Sequence, residues 1–305
     1  VSNAWRTVPL LAAMAATLRA RAPAAAVWNL VAPLGVTTRL LLDAGCDAVG
    51  VCELPLVTRE RWAVPAAEVG YAGLNHLGWF WPRTIAARAA LEAAPDVDGP
   101  TLGAFGAAPL RYYYELFAPD AAARLGVARK PGRADALAAL ADDALTTFRE
   151  SPGAWTPARA TPWFDRALVP MIAAREGRGA WAGYADVRSD GRCGFAEREA
   201  VVEVAVTVDR QGVHPRVDAD VPEAVARWLA GAARADALSY EAARSRDPAT
   251  LQGALAALPG GAPRGAIDIA KDISIEGRAN RPERWRDIWS AGHSVSGVAE
   301  VCGVA

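Results

Sequence analysis

The first 55 residues restrict the fold of this chain more than any other part. Two short apolar runs, at 25–31 and 48–54, are cut off by proline: Pro23 and Pro33 flank the first and Pro55 closes the second. Runs of this length between turn residues suit strands buried on both faces. Each is preceded by a helical pattern. Residues 8–21 place Leu10, Leu11, Met14 and Leu18 at helical spacing, and 37–44 stop at Gly45. Helix, strand, helix, strand with short connections is the order of a parallel sheet with crossover helices. Such sheets present ligands at the carboxyl ends of their strands, which marks the segment after Val31 and the segment around Cys52 to Pro55.

The rest of the chain reads as mixed. Residues 134–149 form an amphipathic helix through Leu137, Leu140 and Leu145, and 164–174 form another that Pro170 kinks or splits. Residues 200–209 alternate as a half-buried strand, and 222–239 and 248–258 are helices with proline in the first turn. The glycine-containing stretches 103–106 and 260–265 read as loops. No GxGxxG follows a leading strand, so a dinucleotide-binding fold here lacks its phosphate-binding half. A chain beginning at Val1 then reads as one without its front portion. The predicted class is α/β: a partial Rossmann-like parallel sheet followed by an α+β domain of the lactate/malate dehydrogenase C-terminal kind.

Composition narrows function. With 52% hydrophobic and 22% charged residues, a large core is available. A net charge of −1, from 33 basic and 34 acidic residues, argues against a general nucleic-acid or anionic-membrane binder. No apolar run reaches the roughly 20 residues of a membrane span. Arg6 and Pro9 interrupt the apolar start, so it is not a secretory signal, and the expected location is cytoplasmic.

Cys46, Cys52, Cys193 and Cys302 make no CxxC pair, and His76, His214 and His293 are the only histidines. Cys52 stands at the carboxyl end of the second apolar run. His76 follows in YAGLNHLGW, flanked by the amide of Asn75. Thiolate plus imidazole can hold a divalent transition metal and leave positions for substrate oxygens. A buried cysteine and an ordinary hydrogen-bonded histidine explain the same residues without a metal.

Several stretches, in order, resemble glycoside hydrolase family 4, of the 6-phospho-β-glucosidase type. AWRTVP at 4–9 is similar to the family's A-L-R-T-[IV]-P, and WNLVAPLGVTT at 28–38 to its I-N-F-T-N-P-x-G-[IV]-[VT]-T. VGVCELP at 49–55 resembles [IV]-G-[LV]-C-x-x-P, and GLNHL at 73–77 matches G-L-N-H-L. LRYYY at 110–114 is typical of the β-type members. VVEVAV at 201–206 resembles a family strand, and YEAA at 240–243 a family helix with a shortened gap. The resemblance stops at Pro259.

It implies an NAD- and Mn2+-dependent glycosidase. NAD takes a hydride from sugar C3, a tyrosine base removes the C2 proton, the aglycone is eliminated, water adds and the hydride returns. Cys52 and His76 fall on the family's metal-ligand positions, and Asn75 is a substrate contact. Glu53 is a candidate general acid, or else a solvated glutamate. Arg188 and Arg192 are candidates for phosphate, or ordinary surface residues; Tyr112 to Tyr114 read as packing. Two positions depart from the pattern. Ala32 replaces the asparagine before proline, and Phe164 stands where the base tyrosine belongs, which leaves Asp165 as a substitute base. The resemblance divides the chain into a dinucleotide-binding remnant at 1–60 and a family 4 substrate and metal domain at 61–305. It implies a sugar or sugar-phosphate ligand and a homo-oligomer. Two other readings stay open: a catalytically degraded relative that binds a sugar or a partner, and a dehydrogenase of the lactate/malate type.

Overall fold

The computed structural model describes residues 2–127, 133–151 and 163–261. The segment Arg159 to Pro162, His293, Cys302 and the polar end of the chain lie outside the described residues. The elements follow in chain order. They are α1 (Ser2–Arg21), β1 (Ala26–Asn29), α2 (Leu34–Asp43), β2 (Asp47–Gly50), α3 (Leu54–Arg61), β3 (Val69–Gly73), β4 (Trp79–Pro82) and α4 (Ile85–Ala93). Then come α5 (Gly99–Phe105), β5 (Ala108–Pro109), α6 (Arg111–Phe117), α7 (Pro119–Arg124) and α8 (Arg133–Glu150). A π turn (Phe164–Leu168) leads into α9 (Val169–Arg175), followed by β6 (Trp181–Arg188), β7 (Val201–Asp209), β8 (Gly212–Arg216), α10 (Glu223–Ser245) and α11 (Pro248–Ala256). Two compact units result. The first comprises Val1–Val51, Ala185–Glu203 and Ala226–Ala305; the second comprises Cys52–Tyr184 and Val204–Val225.

In the first unit β1 and β2 pair in parallel, Ala26 opposite Asp47 and Asn29 opposite Gly50, with α2 as the crossover. This is the Rossmann-like piece that the proline-bounded runs predict, but its strands are not buried on both faces: Ala26 and Asp47 are exposed, and Val27, Trp28 and Ala48 are half-buried. Beyond β2 the pairing turns antiparallel, with Gly50 opposite Asp186 of β6. A Cβ on Gly50 would stand 2.7 Å from both Asp186 Cβ and Thr38 Oγ1, so only glycine lets β2 lie this close to α2 and β6. Asn29 donates to the hydroxyls of Thr37 and Thr38 at 2.9 and 2.8 Å, which satisfies its buried amide and fixes the end of β1 against α2. Val8, Leu11, Val36, Leu40, Leu41 and Tyr240 close the core of this unit.

The second unit is antiparallel. Tyr71 lies opposite Phe80 in the β3–β4 hairpin, β4 pairs with β5, and β7 pairs with β8. Its core is aromatic: Trp62, Tyr71, Phe80 and Tyr184 pack edge-on or tilted around Leu91 and Leu102. The chain is therefore α/β, a parallel remnant followed by α+β structure, as expected.

Four local expectations are corrected. Helix α1 starts at Ser2, not near Val8, and carries Pro9 inside it. The stretch 103–106 is mostly helix. Asp98 caps α5 by accepting from the Thr101 amide, and Gly106 ends it in the left-handed conformation. β7 is not half-buried; Val201 to Val206 are all buried, Glu203 included, because both faces are covered. On α8, Leu145 and Phe148 stay exposed. Pro170, by contrast, does split the helix predicted at 164–174, into the π turn and α9.

Candidate functional site

Cys52 opens the second unit. The chain leaves β2, Val51 donates its N–H to Asn29 O at 2.9 Å, and the buried Cys52 follows. The half-buried Glu53 is the residue from which α3 springs, with Pro55 in its first turn.

His76 and Asn75 sit in the turn between β3 and β4. The turn closes through Leu77 N–H to Leu74 O, 2.8 Å. A Cβ on Gly73 would stand 2.3 Å from Gly78 Cα, so the two strand ends touch where side chains would normally part them. The price of this closure is taken at His76, which adopts φ 67°, a conformation that L residues avoid. Its imidazole stacks flat on Tyr112 of α6, with centroids 4.5 Å apart and planes 8° from parallel. Burial lowers the His76 pKa to about 4, so the ring is neutral through the physiological range. Neutral imidazole is the form that binds metals. Asn75 Nδ2 is buried without a hydrogen-bond partner, an N–H donor with room for an acceptor from a ligand.

Taken one by one, a thiol and a neutral imidazole are groups that can bind a divalent transition ion, and an amide donor is one that can meet a substrate oxygen. Among the described residues no group of three or more His, Cys, Asp or Glu could hold a metal.

The other predicted site residues have these surroundings. Asp165 and Phe164 are exposed on the π turn, where the next residue, Arg166, pairs with Glu60. Arg188 and Arg192 belong to the first unit. Arg188 pairs with Asp43 at 2.7 Å, and Arg192 with Asp190 at 2.9 Å. Sequence reasoning misses Tyr112 as a site residue, because the tyrosine run looks like packing, as Tyr113 and Tyr114 indeed are. It also misses the buried acids Asp186 and Glu203, for which the sequence carries no signal beyond an interrupted apolar pattern.

The family model for the family 4 glycosyl hydrolase C-terminal domain matches residues 96–259, more than half of the chain. The chain belongs to glycosyl hydrolase family 4. The family match includes Tyr112, Asp165, Arg188 and Arg192, and begins after Cys52 and His76. Solved family 4 structures share the fold. The 6-phospho-β-glucosidase of Thermotoga maritima, determined with manganese, NAD+ and glucose-6-phosphate, is 19% identical. It superposes with a TM-score of 0.73 over 91% of this chain and 72% of its own. A 6-phospho-α-glucosidase from gut microorganisms, in complex with NAD and Mn2+, is 14% identical, with a TM-score of 0.67 over 91% of this chain and 72% of its own. No curated protein sequence matches. Among the described residues no helix is long and apolar enough to cross a membrane.

Proposed function

We propose that the protein is a glycosidase of the NAD- and divalent-metal-dependent type, hydrolysing O-glycosidic bonds of β-glucosides, including 6-phosphorylated ones, by oxidation, elimination and addition. The observation that carries this reading is the family 4 C-terminal-domain match. The donor chemistry of Cys52, Asn75 and His76 supports it from the structure. Residues 1–60 are read as the remnant of a dinucleotide-binding domain and 61–305 as the substrate and metal domain. No residue is assigned to NAD, since the chain carries no Gly-rich phosphate-binding turn. A homo-oligomer is part of this reading, and the working location is the cytoplasm.

When bound, NAD and Mn2+ would supply the hydride acceptor and the polarisation of the sugar oxygens at C2 and C3. Cys52 and His76 would hold the cation, the sulfur as thiolate and the imidazole as its neutral form. Asn75 would donate its free N–H to a sugar oxygen and so orient the ring. Glu53, half-buried at the start of α3, would protonate the leaving oxygen. Asp165 is the carboxylate next to Phe164 and would receive the C2 proton that phenylalanine cannot take. Arg188 and Arg192 would give up Asp43 and Asp190 for phosphate oxygens.

The test is release of nitrophenolate from p-nitrophenyl 6-phospho-β-glucoside by the full chain with NAD+ and Mn2+. Turnover that disappears in Cys52→Ser supports the reading. Phe164 favours one alternative, a relative that binds sugar without cleaving it. Glucose-6-phosphate binding with no turnover, in the presence of both cofactors, would establish that alternative.

A further inference from the structure

We propose that Tyr112 is a positioning residue for the divalent cation, holding the His76 imidazole by a flat ring stack so that its nitrogen edges stay free to coordinate. The inference rests on the metal reading of His76 above.

The stack is unusually parallel, 8° between planes at 4.5 Å, whereas most aromatic contacts in this unit are tilted or edge-on. A face-to-face neighbour covers one face of an imidazole and leaves both ring nitrogens in the open plane, whereas an edge-on neighbour would crowd one of them. A left-handed backbone at a residue other than glycine persists only where its surroundings hold it, and the ring stack is one such hold.

Tyr112 is well placed to give it. Helix α6 is anchored by its next two residues. Tyr113 packs edge-on against Trp79, and Tyr114 accepts from the Asp98 N–H at 3.0 Å through its hydroxyl. The start of α6 is tied to the end of the His76 turn by Leu110 N–H to Gly78 O, 2.8 Å. Tyr112 therefore stands on a fixed support beside a strained turn. Groups that orient a metal-bound histidine commonly do so by hydrogen bonding; here the orienting group is a ring face.

The experiment is Mn2+ titration of the full chain, free Mn2+ being read by its electron paramagnetic resonance signal, without NAD or substrate. Wild type is compared with Tyr112→Phe, Tyr112→Ala and His76→Ala, each checked by circular dichroism and thermal melting. Tyr112→Phe should bind Mn2+ as wild type does, since the stack survives loss of the hydroxyl. Tyr112→Ala should bind about 10-fold more weakly or worse, the range seen when an orienting partner of a metal ligand is removed. Should the alanine variant melt early, Tyr112→Leu, which keeps bulk on α6 without an aromatic plane, carries the same comparison. Unchanged affinity in Tyr112→Ala or Tyr112→Leu, or an equal loss in Tyr112→Phe, would overturn the proposal while leaving His76 as a ligand. Equal Mn2+ affinity in wild type and His76→Ala would instead overturn the metal assignment itself, and this inference with it.

Discussion

Replacing Asp236 by asparagine should stabilise the protein at neutral pH. Asp236, on α10, brings its carboxyl oxygen to 3.1 Å from the place where a Cβ on Gly35 would stand, beside the first turn of α2. In the same unit Asp186 and Glu203 are fully buried, and both oxygens of Asp186 lack a hydrogen-bond partner. Burial raises the Asp236 pKa from 3.8 to about 6. Burial first, then the charges of Glu203 and Asp236, pushes Asp186 well above the ordinary range. A carboxyl raised in the folded state favours folding while it is protonated. Its contribution is complete below 3.8 and is lost as pH rises through about 6. Above that, the ionised group costs about 3 kcal/mol, at about 1.4 kcal/mol for each pH unit between folded and unfolded values. The asparagine that replaces it keeps a polar amide in the same place, which costs part of that gain and leaves a net benefit of about 2 kcal/mol. Urea unfolding of wild type and Asp236→Asn from pH 4 to pH 8 reads this directly. The two curves should meet near pH 4 and diverge to about 2 kcal/mol in favour of the variant by pH 8. A variant no more stable at pH 8, or a gap that ignores pH, would refute the argument.

Two further substitutions probe how tightly the units are built. Gly50→Ala puts a methyl 2.7 Å from Asp186 Cβ and Thr38 Oγ1 and 3.0 Å from Leu34 Cγ. It should cost about 1–3 kcal/mol as overpacking, seen as a lower urea midpoint; an unchanged midpoint would show that β2 can move away from α2. Asp218 accepts the Tyr71 N–H at 2.9 Å and pairs with Arg83 at 3.0 Å, holding β3 in place. Asp218→Asn should lower stability by about 1–2 kcal/mol, largely insensitive to salt because Asp218 is buried. Loss of the whole effect in 0.5 M salt, on the order of three to four times physiological ionic strength, would show that surface attraction, not the buried contact, is responsible.

How much of this was legible depends on whether the signal is local. β1 and β2 could be read because proline bounds them and their runs are too short for helices. The β3–β4 hairpin could not. GYAG and WFWP are buried on both sides, so neither alternates, and no tight-turn pair such as Asn-Gly stands between them. β7 alternates in sequence, yet Glu203 is buried with the valines on either side of it, which the alternation alone does not show. α5 carried a readable Asp98-Gly-Pro start, but its internal glycine suggested a loop; the cap and burial of Leu102 outweigh that glycine's cost. In the site, residue type alone singled out Cys52 and His76, since thiols and imidazoles are scarce here. Tyr112 sits in a run of three tyrosines, and only the direction in which α6 points each ring separates it from its neighbours.

The backbone at His76 offers a separate check that the imidazole serves something other than folding. A non-glycine residue at φ 67° costs about 1 kcal/mol or more, which glycine does not incur. The ring stack with Tyr112 returns about 0.5–1.5 kcal/mol. His76→Ala keeps the strain and loses the stack, so it should destabilise by about 1 kcal/mol. His76→Gly loses the stack but relieves the strain, so its stability should stay close to wild type. The glycine variant should thus outlast the alanine variant by about 1 kcal/mol in paired urea melts, the reverse of their usual order in regular structure. An alanine variant as stable as the glycine one would mean the turn relaxes and stores no strain. If the predicted order holds, glycine would satisfy this turn as well as histidine does. The strained residue then contributes little to stability, and what distinguishes it is a neutral imidazole held flat beside the unspent amide of Asn75.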